Sequence, residues 1–188
     1  MKHTLKVIFI LLSLPFYLLL LIMPSAHRKA MFSTISQCLS IIPGKTGSFY
    51  RKAFYQLSMK QCHFNGVISF GTLFSDTDTE IDENVYIGPQ CNIGKCAIGK
   101  NTLIASGVHI LSGKNQHNFS DLDTPIQQQG GNYQKINIGE DCWIGNTAVI
   151  MANVGKKSIV AAGAVVVHDV ADYSIVAGNP AKVIKSRQ

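Results

Sequence analysis

The sequence predicts an all-β solenoid, a parallel β-helix, preceded by an N-terminal hydrophobic and helical segment that associates with a membrane. Three observations carry this prediction: an aliphatic residue recurring every six positions through the second part of the chain, a glycine and a small residue keeping fixed offsets from it, and a charge-free apolar run near the N-terminus.

The apolar run comes first. Val7 to Met23 carries no charge and is interrupted only by Ser13, Pro15 and Tyr17, with Pro24 closing it. A straight helix of that length reaches about 26 Å at about 1.5 Å per residue, slightly less than a hydrocarbon core of about 30 Å. The run therefore suits a thin bilayer, or a bend at Pro15 and re-entry. A cleaved signal peptide is the rival, with Lys2 and Lys6 ahead of the run and Pro-Ser-Ala after it, but Pro24 stands where cleavage wants a small residue. Residues 30–62 follow with helical spacing, Tyr50, Phe54 and Leu57 on one stripe and Arg51, Lys52 and Lys60 off it, broken by Pro43-Gly44 and Gly47. A helical pair packed on the main domain and an interfacial helix with basic flanks both fit. Residues 1–63 are thus predicted as a membrane-associating leader and 64–188 as the repeat domain. Removal of residues 1–62 is expected to leave soluble protein.

Charge supports the division. Residues 1–75 hold eight Lys or Arg and no acid, whereas the remainder holds nine basic against eleven acidic residues, so the net +6 belongs to the leader. A basic apolar leader suits an anionic membrane surface, and a nucleic-acid partner is not expected. Heavier positive charge after the run than before it favours a cytoplasmic main domain. Five cysteines with no CxxC spacing read as reduced thiols.

In the repeat, the aliphatic position is taken by Ile81, Ile87, Ile93, Ile98, Ile104 and Ile110, then by Ile138, Ile144, Ile150, Val154, Val160 and Val166. Glycine follows it at 88, 94, 99, 139, 145 and 155, and the fifth place is small or β-branched, as at Val85, Cys91, Ala97, Thr102, Cys142 and Ala164. Each hexad reads as a short strand with its aliphatic residue pointing inward, then a corner where glycine accepts unusual backbone angles. Three hexads close one triangular coil, and stacked coils bury a column of Ile and Val. Cys91 and Cys142 read as core packing.

Between the halves, Gly113 to Lys135 abandons the repeat for the polar, strandless "GKNQHNFSDLDTPIQQQGGNYQK". Long loops in regular scaffolds are commonly functional, and His117 lies in this one.

The blocks "INIGEDCWIGNTAVI", "VAAGAVVVHDV" and "AGNPAKVIK", with the repeat, resemble the hexapeptide-repeat acyltransferases, among them bacterial polysaccharide and sugar O-acetyltransferases. The resemblance runs from about Phe64 to Ile184. It implies a left-handed coil, a homotrimer with active sites between subunits, and acetyl-CoA as donor. It places the catalytic histidine on the inserted loop, in a pattern like "H-x-F-S-D", hence at His117 as general base, which fits the need for a group titrating near neutral pH. His109 is expected to shape the acceptor pocket, with Asp121 and Asp123 as candidates to orient the imidazole or hold acceptor hydroxyls; His168 receives no role. Trp143, read as a corner residue, is placed near the donor pocket. Backbone amides at Gly145 and at Ala162, Gly163 and Ala164 are assigned to the pantetheine arm. Lys182, Lys185 and Arg187, brought back along the helix by an Asn179-Pro180 turn, are assigned to the nucleotide phosphates.

The function implied is acetyl transfer from acetyl-CoA to a hydroxyl of a saccharide, a cell-surface polysaccharide or its precursor, at the cytoplasmic face of the inner membrane. No metal is expected. A non-catalytic β-helix scaffold is the alternative, with a gamma-class carbonic anhydrase-like metalloprotein behind it, since His109 and His117 lack an obvious third histidine.

Overall fold

The structure, a computed structural model, describes residues 2–188. Three helices lead into the solenoid: α1 (Lys2–Ile22), α2 (Ser25–Ser40) and α3 (Gly44–Ser58). Pro15 lies inside α1, which continues through it, and Gly47 lies inside α3, so the only break after α2 falls just before Gly44.

Each coil contributes one short strand to each of three faces. The first face stacks β1 (Gln61–Cys62), β4 (Glu80–Ile81), β7 (Cys96–Ile98) and β10 (Ile136–Ile138), and continues through single bridges at Val154 and Val170. The second stacks β2 (Val67–Ile68), β5 (Tyr86–Ile87), β8 (Leu103–Ile104), β11 (Trp143–Ile144), β13 (Ile159–Val160) and β15 (Ser174–Ala177). The third stacks β3 (Leu73–Phe74), β6 (Asn92–Ile93), β9 (His109–Ile110), β12 (Val149–Ile150) and β14 (Val165–Val166). All of these pairings are parallel. The chain is therefore a parallel β-solenoid of six rungs, as the sequence predicts. After a cis Asn179-Pro180 bond, β16 (Lys182–Ser186) returns antiparallel along β15 and closes the edge of the second face.

The inward aliphatic residues form one column, Ile81, Ile87, Ile93, Ile98, Ile104 and Ile110 continuing into Ile138, Ile144, Ile150, Val154, Val160 and Val166, each no more than 3% exposed. The small companion is best located two places before the aliphatic residue. Counting forward across the shortened five-residue step predicts Ala97, but the inward residue is Cys96, fully buried, and Ala97 turns outward. Cys91 and Cys142 are buried as predicted.

The glycines after the aliphatic residue serve spacing, not backbone angle. A Cβ at Gly99 would stand 2.6 Å from Glu140 N, and at Gly139 2.5 Å from Lys156 N, because the next coil crosses directly against them. The left-handed corner angles fall instead three places after the aliphatic residue, at Asn84, Gln90, Asn101, Asp141, Thr147, Lys157 and Tyr173 and at the glycines 71, 107, 113 and 163. Asn and Asp tolerate that region best among residues with side chains.

The helices and the solenoid share one core. Phe32, Phe54 and Tyr55 are fully buried against Phe74 and Ile68, and the Phe74 amide donates to Ser36 Oγ at 3.0 Å. Arg51 and Lys52, basic flanks in the interfacial reading of this stretch, are buried, as the packed helical pair requires. Arg51 donates from Nε to Ile68 O (3.0 Å) and from Nη1 to Leu39 O (2.9 Å), Ser40 O (3.3 Å) and Ile42 O (2.8 Å). It thereby caps the carbonyl end of α2, where a cation complements the helix dipole. Lys52 donates to Gly66 O at 2.8 Å and lies over the rings of Phe49 and Phe64. The solenoid's first rung is thus roofed by α2 and α3, and removal of residues 1–62 would strip β1 and uncover Ile68, Phe74 and Ile81.

Candidate active site

The inserted segment leaves the coil after β9 and rejoins it at β10, at the corner between the third and first faces. It folds as an arm of two antiparallel runs. Gln134 N donates to Ser112 O (2.9 Å), Asn132 N to Asn115 O (2.8 Å) and Asn118 N to Gly130 O (3.0 Å). A single 3-10 turn, Ile126–Gln128, lies near the tip. The two runs touch so closely at Gly131 that a Cβ there would collide with the Gln116 carbonyl and stand 2.9 Å from His117 N. Gly131 therefore sets the position of the His117 backbone. The imidazole is exposed and has no hydrogen-bond partner among the described residues.

The root of the arm is tied to the first face by charge. Lys135 Nζ bonds Asp78 Oδ1 (2.7 Å) and Glu80 Oε1 (2.5 Å); Lys95 also reaches Asp78 (2.9 Å) and Lys60 reaches Glu80 (2.8 Å). Hydrogen bonds from Lys135 and Lys95 hold the Asp78 carboxyl down at about 2, and those from Lys135 and Lys60 lower Glu80. Tyr133, on the returning run, places its ring 5.5 Å from Lys29 Nζ of α2, so the arm leans toward the helical roof.

At the tip, Asp121 accepts from Thr124 Oγ1 (2.7 Å) and from the amides of Asp123 (3.0 Å) and Thr124 (3.4 Å), which lowers its pKa. Its carboxylate closes its own turn and does not orient His117. Asp123 is exposed and likewise makes no bond to the imidazole. Phe119, Leu122 and Ile126 stand out of the arm at 75%, 95% and 56% exposure.

The remaining predicted residues lie elsewhere on the triangle. His109 points outward from the middle of the third face, between Asn92 and Val149. Trp143 is not at a corner: it points outward from the second face, in register with Leu103 and Ile159. Gly145 and the segment Ala162-Gly163 stack on the corner between the second and third faces, so close that a Cβ at Gly145 would collide with Ala162 N. Several of the amides assigned to the donor are committed within the ladder: Gly145 N to Val160 O (2.8 Å), Gly163 N to Asn146 O (2.8 Å) and Ala164 N to Ala161 O (3.2 Å). Ala164 is also fully buried, which corrects its assignment as an exposed donor. Lys182 and Lys185 lie exposed on β16, and Arg187 Nη1 bonds Lys157 O at 2.7 Å, so Arg187 closes the tail rather than standing free.

Within one chain the predicted residues therefore form two groups. His117, Asp121 and Asp123 ride on the arm at one corner; Trp143, Gly145, Ala162, Gly163, Lys182 and Lys185 lie on the second face and its far corner, with His109 on the face between. Sequence reasoning missed the arm's fastening by Lys135, Asp78, Glu80 and Lys95, and the packing role of Gly131. It also missed a cavity of about 510 Å³ beneath the arm, lined by Lys114, Gln134, Met151, Val167 and His168. The double glycine at 130–131 was the one local signal available. Among the described residues no group of three or more His, Cys, Asp or Glu side chains is placed to hold a metal ion.

Residues 78–112 match the family described as bacterial transferase hexapeptide (six repeats), and the chain resembles the hexapeptide-repeat acyltransferases in both sequence and fold. It is 37% identical over 109 residues to a Lysinibacillus sphaericus protein named "Probable macrolide acetyltransferase", covering 50% of this chain and 61% of that one. Over 122 residues it is 28% identical to WbbJ of Escherichia coli (strain K12), assigned by inference as a lipopolysaccharide biosynthesis O-acetyl transferase, covering 61% of each. The crystal structure of a maltose O-acetyltransferase from Clostridium difficile 630 superposes with a TM-score of 0.70 at 19% identity, over 85% of this chain and 88% of that one. The chain spans about three fifths of the length of these two curated relatives.

Proposed function

We propose that the protein transfers an acetyl group from acetyl-CoA to a hydroxyl of a saccharide, with His117 as general base. The observation that carries this reading is the arm: the single long interruption of the repeat, fastened at its root by two ion pairs from Lys135 to carboxylates that Lys60 and Lys95 also hold, presents an imidazole with no partner among the described residues. In the reaction His117 takes the proton of the acceptor hydroxyl as its oxygen attacks the thioester carbonyl. The carbon–sulfur bond then breaks, and the imidazolium returns the proton to the CoA thiolate, leaving an ester and free CoA. The relatives' names supply the acetyl donor, and that of WbbJ supplies the class of acceptor, a cell-surface polysaccharide or its precursor.

The active unit in this reading is a homotrimer. Two features support self-association. The outward residues of the second face, Val67, Tyr86, Leu103, Trp143 and Ile159, form an apolar ladder in register, and the arm exposes Phe119, Leu122 and Ile126. An arm laid on a neighbouring copy brings His117 toward that copy's Trp143, Gly145 and Ala162, and joins the two groups of residues. Lys182 and Lys185 then serve the nucleotide phosphates.

The enzyme works on the cytoplasmic side of the inner membrane, where acetyl-CoA is supplied. The leader is retained: Phe16 and Leu20 of α1 pack in the common core, and cleavage would uncover it.

Calorimetric titration with acetyl-CoA and CoA, in wild type and His117→Ala, tests the proposal. Retained binding with turnover lowered by roughly 100-fold or more is expected for loss of a general base. Near-normal turnover overturns the role of His117, and absence of binding by assembled protein overturns acetyl transfer.

A further inference from the structure

One face of α1 is packed along its whole length. Lys6 Nζ lies 5.9 Å from the centre of the Phe64 ring; Phe9 stacks on Phe49 at 5.2 Å and meets Tyr50 edge-on at 4.9 Å. Ser13 is fully buried, Phe16 packs on the core and Leu20 is 3% exposed. The opposite face is a continuous apolar stripe, Val7, Ile8, Leu11, Leu12, Leu18, Leu19 and Ile22, each between 39% and 74% exposed, and nothing among the described residues covers it.

The surroundings select the cover. Arg28 Nη2 donates to the carbonyls of Leu21 (3.5 Å) and Met23 (3.4 Å) at the end of α1, and Lys45 is exposed at the start of α3. The three helices contain no acidic residue. An apolar strip rimmed only by cations complements an anionic bilayer surface.

The same packing decides the orientation. At about 1.5 Å per residue α1 is about 31 Å long, enough to cross hydrocarbon. To cross, it would either leave the roof, uncovering Phe49, Tyr50 and the neighbours of Leu20, or carry with it α3 and the α2 packed against both. The exposed side of α2 bears His27, Arg28, Lys29, Thr34 and Gln37, which hydrocarbon cannot solvate.

We infer that α1 lies in the plane of one leaflet as a monotopic anchor, its outer stripe among the acyl chains and the solenoid standing off the membrane on α2 and α3. This rests on the membrane association proposed above and adds its geometry.

The full chain is floated with vesicles of phosphatidylethanolamine and phosphatidylglycerol. Wild type is expected to float, and a Leu11→Glu/Leu18→Glu variant to lose vesicle binding more than about tenfold with an unchanged unfolding temperature, since neither side chain enters the core. Unchanged flotation of the variant overturns the stripe as the contact. For orientation, His3→Cys and Ile22→Cys are made separately on Cys38→Ser, Cys38 being the exposed native thiol. Labels at both ends quenched equally by shallow lipid-borne quenchers, and reacting from the same side of the vesicle, support the in-plane anchor. One end protected until detergent is added overturns it while leaving membrane association standing. Wild type that does not float overturns both, and leaves the acetyl-transfer test unaffected.

Discussion

Replacing Arg51 with methionine isolates the most demanding interaction in the roof. The guanidinium is fully buried, burial pushes its pKa down, and its partners are four backbone carbonyls with no carboxylate among them. Methionine fills the volume of the stem and donates nothing. Two of the four carbonyls keep another partner: Leu39 O still accepts from Ile42 N at 3.4 Å, and Ser40 O from Gly71 N at 2.9 Å. The loss therefore falls on Ile42 O and Ile68 O. An orphaned buried polar group costs about 1–3 kcal/mol, so the pair costs about 2–6 kcal/mol, reduced because the variant no longer desolvates a cation. A net loss of about 3 kcal/mol at about 2–4 °C per kcal/mol lowers the unfolding temperature by about 6–12 °C. Thermal unfolding followed by far-ultraviolet circular dichroism measures it, with Arg51→Lys as the intermediate case, since one ammonium cannot reach all four oxygens. A shift within about 1 °C in Arg51→Met would refute the claim that Arg51 holds the roof to the solenoid.

Four further outcomes are expected. Gly131→Ala forces the two runs of the arm apart at Gln116 and His117; turnover should fall about tenfold or more, as small displacements of a catalytic group do, while acetyl-CoA affinity measured by calorimetry stays unchanged. Gly145→Ala should destabilise by about 1–3 kcal/mol through collision with Ala162. Thr147→Gly, at φ 58°, should raise the melting temperature by relieving a β-branched residue from a left-handed corner, and the opposite order would contradict the division between spacing and angle. The pH dependence follows from Asp78. Its folded pKa of about 2 lies below the unfolded value of about 3.9, so its ion pairs contribute stability above that unfolded value and lose it as pH falls toward 2. Asp78→Asn should therefore flatten the fall in stability across that window in acid titrations.

The solenoid was legible because its constraint is periodic: every inward aliphatic residue from Ile81 to Val166 meets the same neighbours one coil above and below, so the sequence repeats wherever the environment does. What failed to read had non-periodic causes. The five-residue step displaced the inward place from Ala97 to Cys96, which forward counting cannot detect. Glycine at 99 and 139 signals closeness as well as unusual angle, and composition does not separate the two. Arg51 and Lys52 read as surface cations because their partners are carbonyls, which leave no trace in side-chain pattern. At the candidate site, His117 was visible as a histidine in an interruption. Its fastening was not, since Lys135 meets Asp78 and Glu80 more than fifty residues upstream. Nor could spacing reveal that Trp143 and His117 sit on different sides of the triangle.

Every rung of the solenoid presents the next with unpaired amides and carbonyls, and an unfinished stack is a template on which any matching strand can add. The roof of α2 and α3 at one end and the returning β16 along the second face at the other act as terminators of that propagation. A chain whose roof opens would be a nucleus for end-to-end growth, turning a bounded solenoid into a seed for fibres.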